Sequence, residues 1–190
     1  MDSEAIKALA AQFKGVLVVD EAYVDFIDPA LNYNLAAEVE SLNNVIILRT
    51  LSKGYSLAGL RFGYGIACKA LIEPMLTKTR DSYNTDTVSQ QLALAAIESA
   101  DDAAKTWVLV RQQREELLLA LQELGFDVIP SQSNFLLVQV PAGVEAEKLY
   151  QQLKANHILV RYFDQPRLRN KLRITVGSVE ENSALLTCLK

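Results

Sequence analysis

The sequence predicts an α/β protein in which a mostly parallel sheet between helices is followed by a smaller α+β unit. Three observations predict it. Unbroken aliphatic runs, Val16–Val19 and Val45–Leu48, alternate with helix-like and turn-rich sequence over the first 100 residues; such runs suit strands covered on both faces. The texture changes near Asp101, where a long amphipathic segment begins. Beyond that segment the order is strand, strand, helix, strand, strand, helix, which describes a compact α+β unit. The domains expected are therefore 1–100 and 101–190, and with 50% hydrophobic residues in 190 the chain can bury a real core.

Taken in order, residues 2–14 place Ile6, Leu9, Ala10 and Phe13 at helical spacing and end at Gly15. Val16–Val19, Val45–Leu48 and the Gly-rich Phe62–Ala67 are strands, expected to be parallel. Residues 87–100 form a helix with Val88, Leu92 and Ala95 or Ala96 along one side. The segment from Asp101 carries the stripe Trp107, Val110, Leu117, Leu121 and Leu124, read as core, and stops at Gly125. Strands at Phe126–Ile129 and Asn134–Val140, a helix at Val144–Ala155, strands at Ile158–Arg161 and Leu172–Val176, and a helix at Val179–Leu189 complete the chain. Ser178 with Glu181 three residues later is a capping box for that last helix.

Composition narrows the partners. A net charge of -4, a pI near 5.1 and scattered basic residues give no footprint for nucleic acid or an anionic membrane. No apolar stretch approaches the roughly 20 residues that span a bilayer. Cys68 and Cys188 lack metal-type spacing, and the start MDSEAIKALA lacks a signal-peptide layout, so a cytoplasmic protein is expected. His157, the one histidine, has no ligand companions at metal spacing and is read as structural or solvated. No metal is expected, and RFGYGIA lacks the spacing of a dinucleotide motif.

Three segments carry chemistry. In VLVVDEAYVDF an apolar strand ends in Asp20 and Glu21, with Tyr23 just beyond. Ligands of open α/β sheets bind outside the carboxyl ends of strands, although a strand-ending Asp also serves as a simple cap. In VIILRTLSKGYSLAGLRFGYGIA a second strand ends in Thr50, Ser52 and Lys53, with Arg61 eight residues after the lysine. Hydroxyls and a guanidinium gathered at a strand end are anion-binding groups, which implies a phosphorylated ligand. In ILVRYFDQPRLRNKLRITVG, Arg161 ends one strand and Arg173 lies among the alternating apolar Leu172, Ile174 and Val176. Pointing inward, Arg173 would need an anionic partner; pointing outward, it would be an ordinary solvated arginine.

DEAYVDF, TLSKGYSLAGLRFGY and LRITVG together resemble the fold-type I pyridoxal-phosphate (PLP) aminotransferases, most closely the histidinol-phosphate aminotransferase family. The resemblance covers nearly the whole chain and about the second half of the family's length, implying the C-terminal part of such a protein. It implies part of a PLP-transferase large domain over 1–100, followed by a small C-terminal domain. It implies that Lys53 binds pyridoxal 5'-phosphate covalently, that Asp20 pairs with its ring nitrogen, and that Tyr23 bonds its ring hydroxyl. Thr50, Ser52 and Arg61 would hold its phosphate. Arg173 matches the clamp on a substrate carboxylate, Arg161 the arginine facing a substrate phosphate, and Asn134 a further substrate contact. YFDQPRLRNK departs from the pattern and adds Arg167 and Arg169 as competitors for Arg161's role. The activity implied is transfer of an amino group between histidinol phosphate, or an aromatic amino acid, and a 2-oxoacid in histidine biosynthesis, by a homodimer. The family's ring-stacking aromatic, Gly-rich phosphate turn and ring-hydroxyl asparagine have no counterpart here, so weak activity of this chain alone is expected. The same Lys, Asp, Tyr and Arg set would also serve a threonine-phosphate-type decarboxylase. A transcription regulator's aminotransferase-like sensor domain, binding PLP without turnover, is the third reading.

Overall fold

Asp2 opens the first helix: its carboxylate accepts the Ala5 amide at 2.7 Å, an N-cap that satisfies one orphan donor of α1 (Ser3–Gln12). α1 buries Ile6 and Ala10, four residues apart on one face, against Leu35, Val39, Val45 and Ile47. The computed structural model describes residues 2–190 and divides the chain into two units, Met1–Lys105 and Thr106–Lys190.

The first unit holds a three-stranded sheet of β1 (Leu17–Asp20), β2 (Val45–Thr50) and β3 (Gly63–Ile66), in that order. β1 and β2 are parallel, with Leu17 opposite Val45 and Asp20 opposite Leu48. β3 departs from the expected parallel arrangement: it is antiparallel to β2, with Thr50 opposite Gly63. A parallel third strand needs a crossover, usually a helix. Residues 51–62 offer only tight turns and the short 3-10 turn Ala58–Leu60, and the Leu57 amide folds back to the Leu51 carbonyl at 3.0 Å.

Coverage of both faces is a second expectation that the structure corrects. α1 and the 3-10 segment Leu35–Ser41 cover the face bearing Val45 and Ile47. On the opposite face Ile46 is buried, but Val18 is 54% and Leu48 43% exposed, and β1 alternates accordingly. Further along, α2 (Lys69–Pro74) runs into a π-helical turn over Met75–Thr79, and Asp86 caps α3 (Thr87–Glu98) by accepting the Ser89 amide at 2.8 Å. The stripe expected for α3 differs as well. Ala93 is its buried residue, while Val88 and Leu92 are exposed, since apolar residues lie on more than one side of this helix.

The division between units falls inside α4 (Ala100–Glu123). The second unit is a four-stranded antiparallel sheet ordered β4 (Asp127–Ile129), β5 (Phe135–Gln139), β7 (Lys171–Thr175), β6 (Arg161–Tyr162). Leu117 and Leu121 of α4, Leu153 of α5 (Ala146–Ala155) and Leu185 of α6 (Val179–Leu189) pack on Val128, Leu136, Val138, Leu172 and Ile174. Gly125, at φ +84, ends α4 in the left-handed region that glycine favours. Trp107 and Leu124 are only half-buried, unlike Leu117 and Leu121 of the expected stripe. The strand expected over Ile158–Arg161 shortens to Arg161–Tyr162, because His157 turns the chain at φ +62 and 158–160 run outside the ladder. Ser178 and Glu181 form the capping box of α6. Among the described residues no helix is long and apolar enough to cross a membrane.

Candidate active site

Strand alternation decides what the first unit can present. Asp20 lies opposite Leu48, and Thr50 is two residues beyond Leu48, so both project from the open face at the carboxyl ends of a parallel pair. The Asp20 carboxylate accepts the Ala22 amide at 2.9 Å, which turns the chain toward Tyr23. Lys53 extends over that ring, with Nζ 5.6 Å from its centroid, and makes no ion pair among the described residues. The Thr50 hydroxyl accepts the Ser52 amide at 3.1 Å and lies 2.9 Å from Ser52 Oγ and 3.1 Å from the Phe62 carbonyl. Arg61 donates to the Ala58 carbonyl at 2.9 Å from a left-handed backbone, φ 57. Asp20, Tyr23, Thr50, Ser52, Lys53 and Arg61 thus share one stretch of sheet end and adjoining loop.

Beneath them lies a network that the motifs did not single out. Glu21, its side chain 3% exposed, accepts from Arg49 Nε at 2.9 Å and from Arg49 Nη2 at 2.8 Å on one oxygen, and from the Tyr33 hydroxyl at 2.7 Å on the other. Burial, then the Glu21 carboxylate, pushes the Tyr33 phenol well above its ordinary range and keeps it a donor. Burial, the largest single influence, opposes the charge of Arg49, but the hydrogen bonds and charges of Glu21 and Tyr64 together outweigh it and raise its pKa. Asp25 is raised chiefly by burial, with Arg49 pulling it down and Glu21 pushing it up. A Cβ placed on Gly54 would overlap the Asp25 carboxylate, so the turn after Lys53 is shaped around this acid. The sequence signal for the network was the second acid of DEAY and the arginine before the threonine, both at positions that alternation sends to the covered face.

In the second unit the core face of β7 carries Leu172 and Ile174, which places Arg173 on the other face. The outward alternative for Arg173 is the observed one, yet it is not an ordinary solvated arginine. Its Nε is buried and has no hydrogen-bond partner among the described residues. Arg161 stands directly opposite it on β6, and neither makes an ion pair among the described residues. Their guanidiniums stack on aromatic rings instead, Arg173 on Phe135 at 5.3 Å and Arg161 on Phe163 at 5.4 Å. Like charges opposite one another across strands destabilise a sheet, and an orphaned buried donor costs about 1–3 kcal/mol. Arg173→Leu is accordingly expected to leave stability unchanged or to raise it by up to about 1 kcal/mol, as measured by urea unfolding. Asn134 sits at the start of β5, where its carbonyl accepts the Val176 amide at 2.9 Å. Of the two competitors, Arg169 is taken by Asp164 at 2.8 Å.

A lysine that makes no ion pair among the described residues thus lies over a phenol near the end of an α/β sheet. The chain belongs to the aminotransferase class I and II family, which it matches over residues 1–189. It is 49% identical over 191 residues to histidinol-phosphate aminotransferase 1 of Nostoc sp., covering 99% of this chain and 52% of that protein. It is 45% identical to the histidinol-phosphate aminotransferase of Microcystis aeruginosa, covering 100% of this chain and 53% of that one. The crystal structure of histidinol-phosphate aminotransferase from Sinorhizobium meliloti, in complex with pyridoxal-5'-phosphate, superposes with a TM-score of 0.85 at 25% identity, over 100% of this chain and 52% of that chain. The chain spans about half the length of the curated relatives it matches. The expectation that this is their C-terminal part is not retained, since a shared length does not say which end it comes from.

Proposed function

We propose that the chain carries the lysine-bearing part of a PLP-dependent aminotransferase, moving an amino group between histidinol phosphate, or a related amine, and a 2-oxoacid in histidine biosynthesis. The observation that carries this reading is the placement of Lys53, which makes no ion pair among the described residues and lies over Tyr23, three residues past Thr50 on the strand paired with the one that ends in Asp20. The relatives' names and the PLP-bound neighbour support it. The donor set fits the cofactor: an acid for a ring nitrogen, a phenol for a ring oxygen, two hydroxyls and a guanidinium for a phosphate, and an uncommitted amine. Asp20, Tyr23, Thr50, Ser52 and Arg61 would hold PLP, and Lys53 would hold it covalently through Nζ. When bound, PLP supplies an electron sink for the substrate's α-carbon.

The rest of the chemistry belongs to the chain. The Asp20 carboxylate would keep a proton on the ring nitrogen by favouring the charged form. The Tyr23 hydroxyl would donate to the ring oxygen. Lys53 Nζ would act as the nucleophile that holds the group and, when released, would take and return a proton at the substrate's α-carbon. Arg173, with its orphaned Nε, is assigned to the substrate carboxylate or its counterpart, Arg161 to a substrate phosphate and Asn134 to a supporting contact. The assembly in this reading is a homodimer.

The test is an absorbance titration of the PLP-loaded protein with histidinol phosphate, phenylalanine and L-threonine O-3-phosphate in turn, without oxoacid. Bleaching of the cofactor band by histidinol phosphate, with the pyridoxamine form as product, is the expected result. Carbon dioxide release from threonine phosphate alone, or a band unmoved by all three, would overturn it.

A further inference from the structure

We propose that Glu21, Arg49 and Tyr33 are positioning residues that fix Asp20 and Thr50 relative to one another from the covered side of the sheet. The proposal rests on the reading above for what Asp20 and Thr50 hold, but its geometry does not. Glu21 follows Asp20 and Arg49 precedes Thr50, so alternation sends each pair to opposite faces: the proposed ligands to the open face, the ion pair to the covered one. The two strand ends are therefore tied together directly behind the site.

A buried ion pair is weak evidence of stability, because apolar residues of similar volume often serve as well. Its best-attested use is to specify register. β1 contributes only four paired residues, from Leu17 to Asp20, and forms an edge of the sheet. A slip of two residues keeps Leu17, Val19, Val45 and Ile47 on the same faces, so aliphatic burial by itself specifies the register weakly. A slip of one would carry Asp20 to the covered face. The Arg49 fork tolerates neither, since two of its nitrogens converge on a single Glu21 oxygen at 2.8 and 2.9 Å. Tyr33 holds the other oxygen from the chain that leads into the covering 3-10 segment, so the covering layer itself takes part in setting the register. Asp25, Tyr55 and Tyr64 are further ionisable neighbours, Tyr64 lying opposite Arg49 on β3.

The experiment compares amide hydrogen exchange in the cofactor-free chain with PLP affinity in the loaded one, for Glu21→Gln, Tyr33→Phe and a control, Val39→Ala, which loosens the same covered core away from the ion pair. Glu21→Gln is expected to speed exchange at the strand-end amides of residues 21 and 22 at least tenfold, with Val45–Ile47 within threefold, and to weaken PLP binding at least fivefold. Tyr33→Phe keeps the ion pair and is expected to give the same local pattern, smaller; it stands in should Glu21→Gln fail to fold. Unchanged exchange at the strand ends, or a uniform rise across β1 and β2 like that of Val39→Ala, would overturn the proposal. If the unmutated chain shows no PLP band while the local exchange effect is present, the cofactor reading fails and the positioning role stands.

Discussion

Lys53→Ala is expected to lower transamination at least about a thousandfold, because one amine acts both as nucleophile and as proton carrier. Two measurements separate this from a loss of fold. Reduction with borohydride in the presence of PLP should label the peptide containing Lys53 in the unmutated chain and leave the variant unlabelled. The thermal midpoint should move little, since Lys53 is exposed and makes no ion pair among the described residues. Residual transamination within tenfold of the unmutated protein, or equal labelling of both, would remove Lys53 from the mechanism.

Gly54→Ala carries the largest stability effect expected in the site. The added methyl would occupy space held by the Asp25 carboxylate, and neither group can retreat easily: Gly54 is buried, and Asp25 lies among Arg49, Glu21 and Tyr55. Overpacking of this kind costs about 2–3 kcal/mol, partly through displacement of an acid that is already poorly solvated. The cost should be specific to that contact. In an Asp25→Ala background the same substitution should cost under about 1 kcal/mol, giving a coupling of at least about 1 kcal/mol in a double-mutant cycle followed by urea unfolding. Equal costs in both backgrounds would show that the steric conflict lies elsewhere.

How much of this was legible in the sequence depended on how local the cause was. The capping box at Ser178 and Glu181 and the helix stop at Gly125 arise from neighbours a few residues apart, and both appear in the structure where the sequence put them. The order of strands and helices was legible for the same reason, apart from the short α2 (Lys69–Pro74). The direction of β3 was not, because it is set by the reach of residues 51–62, which no hydrophobic pattern encodes. Continuous aliphatic runs were read as strands covered on both faces, but Val18 and Leu48 show that such a run states what a strand can bury, not what lies next to it. DEAY and TLSK hold the residues proposed as cofactor ligands. The Glu21 ion pair, joining positions 28 residues apart, became visible only once the register placed Arg49 beside it. Similarly, the sequence left the direction of Arg173 even, and it took the pairing with Arg161 to show an outward arginine with a buried, orphaned nitrogen.

The left-handed backbone at Arg61 limits how far this chain can be stabilised by editing its loops. Three other non-glycine residues, Asn32, Ser56 and His157, share a positive φ. Glycine at such positions relaxes the backbone, against a larger entropy in the unfolded chain. At Ser56 and His157 the exchange forfeits only an exposed side chain. At Arg61 it would discard the one guanidinium proposed for the phosphate, so the most comfortable residue for the main chain is the one the chemistry forbids.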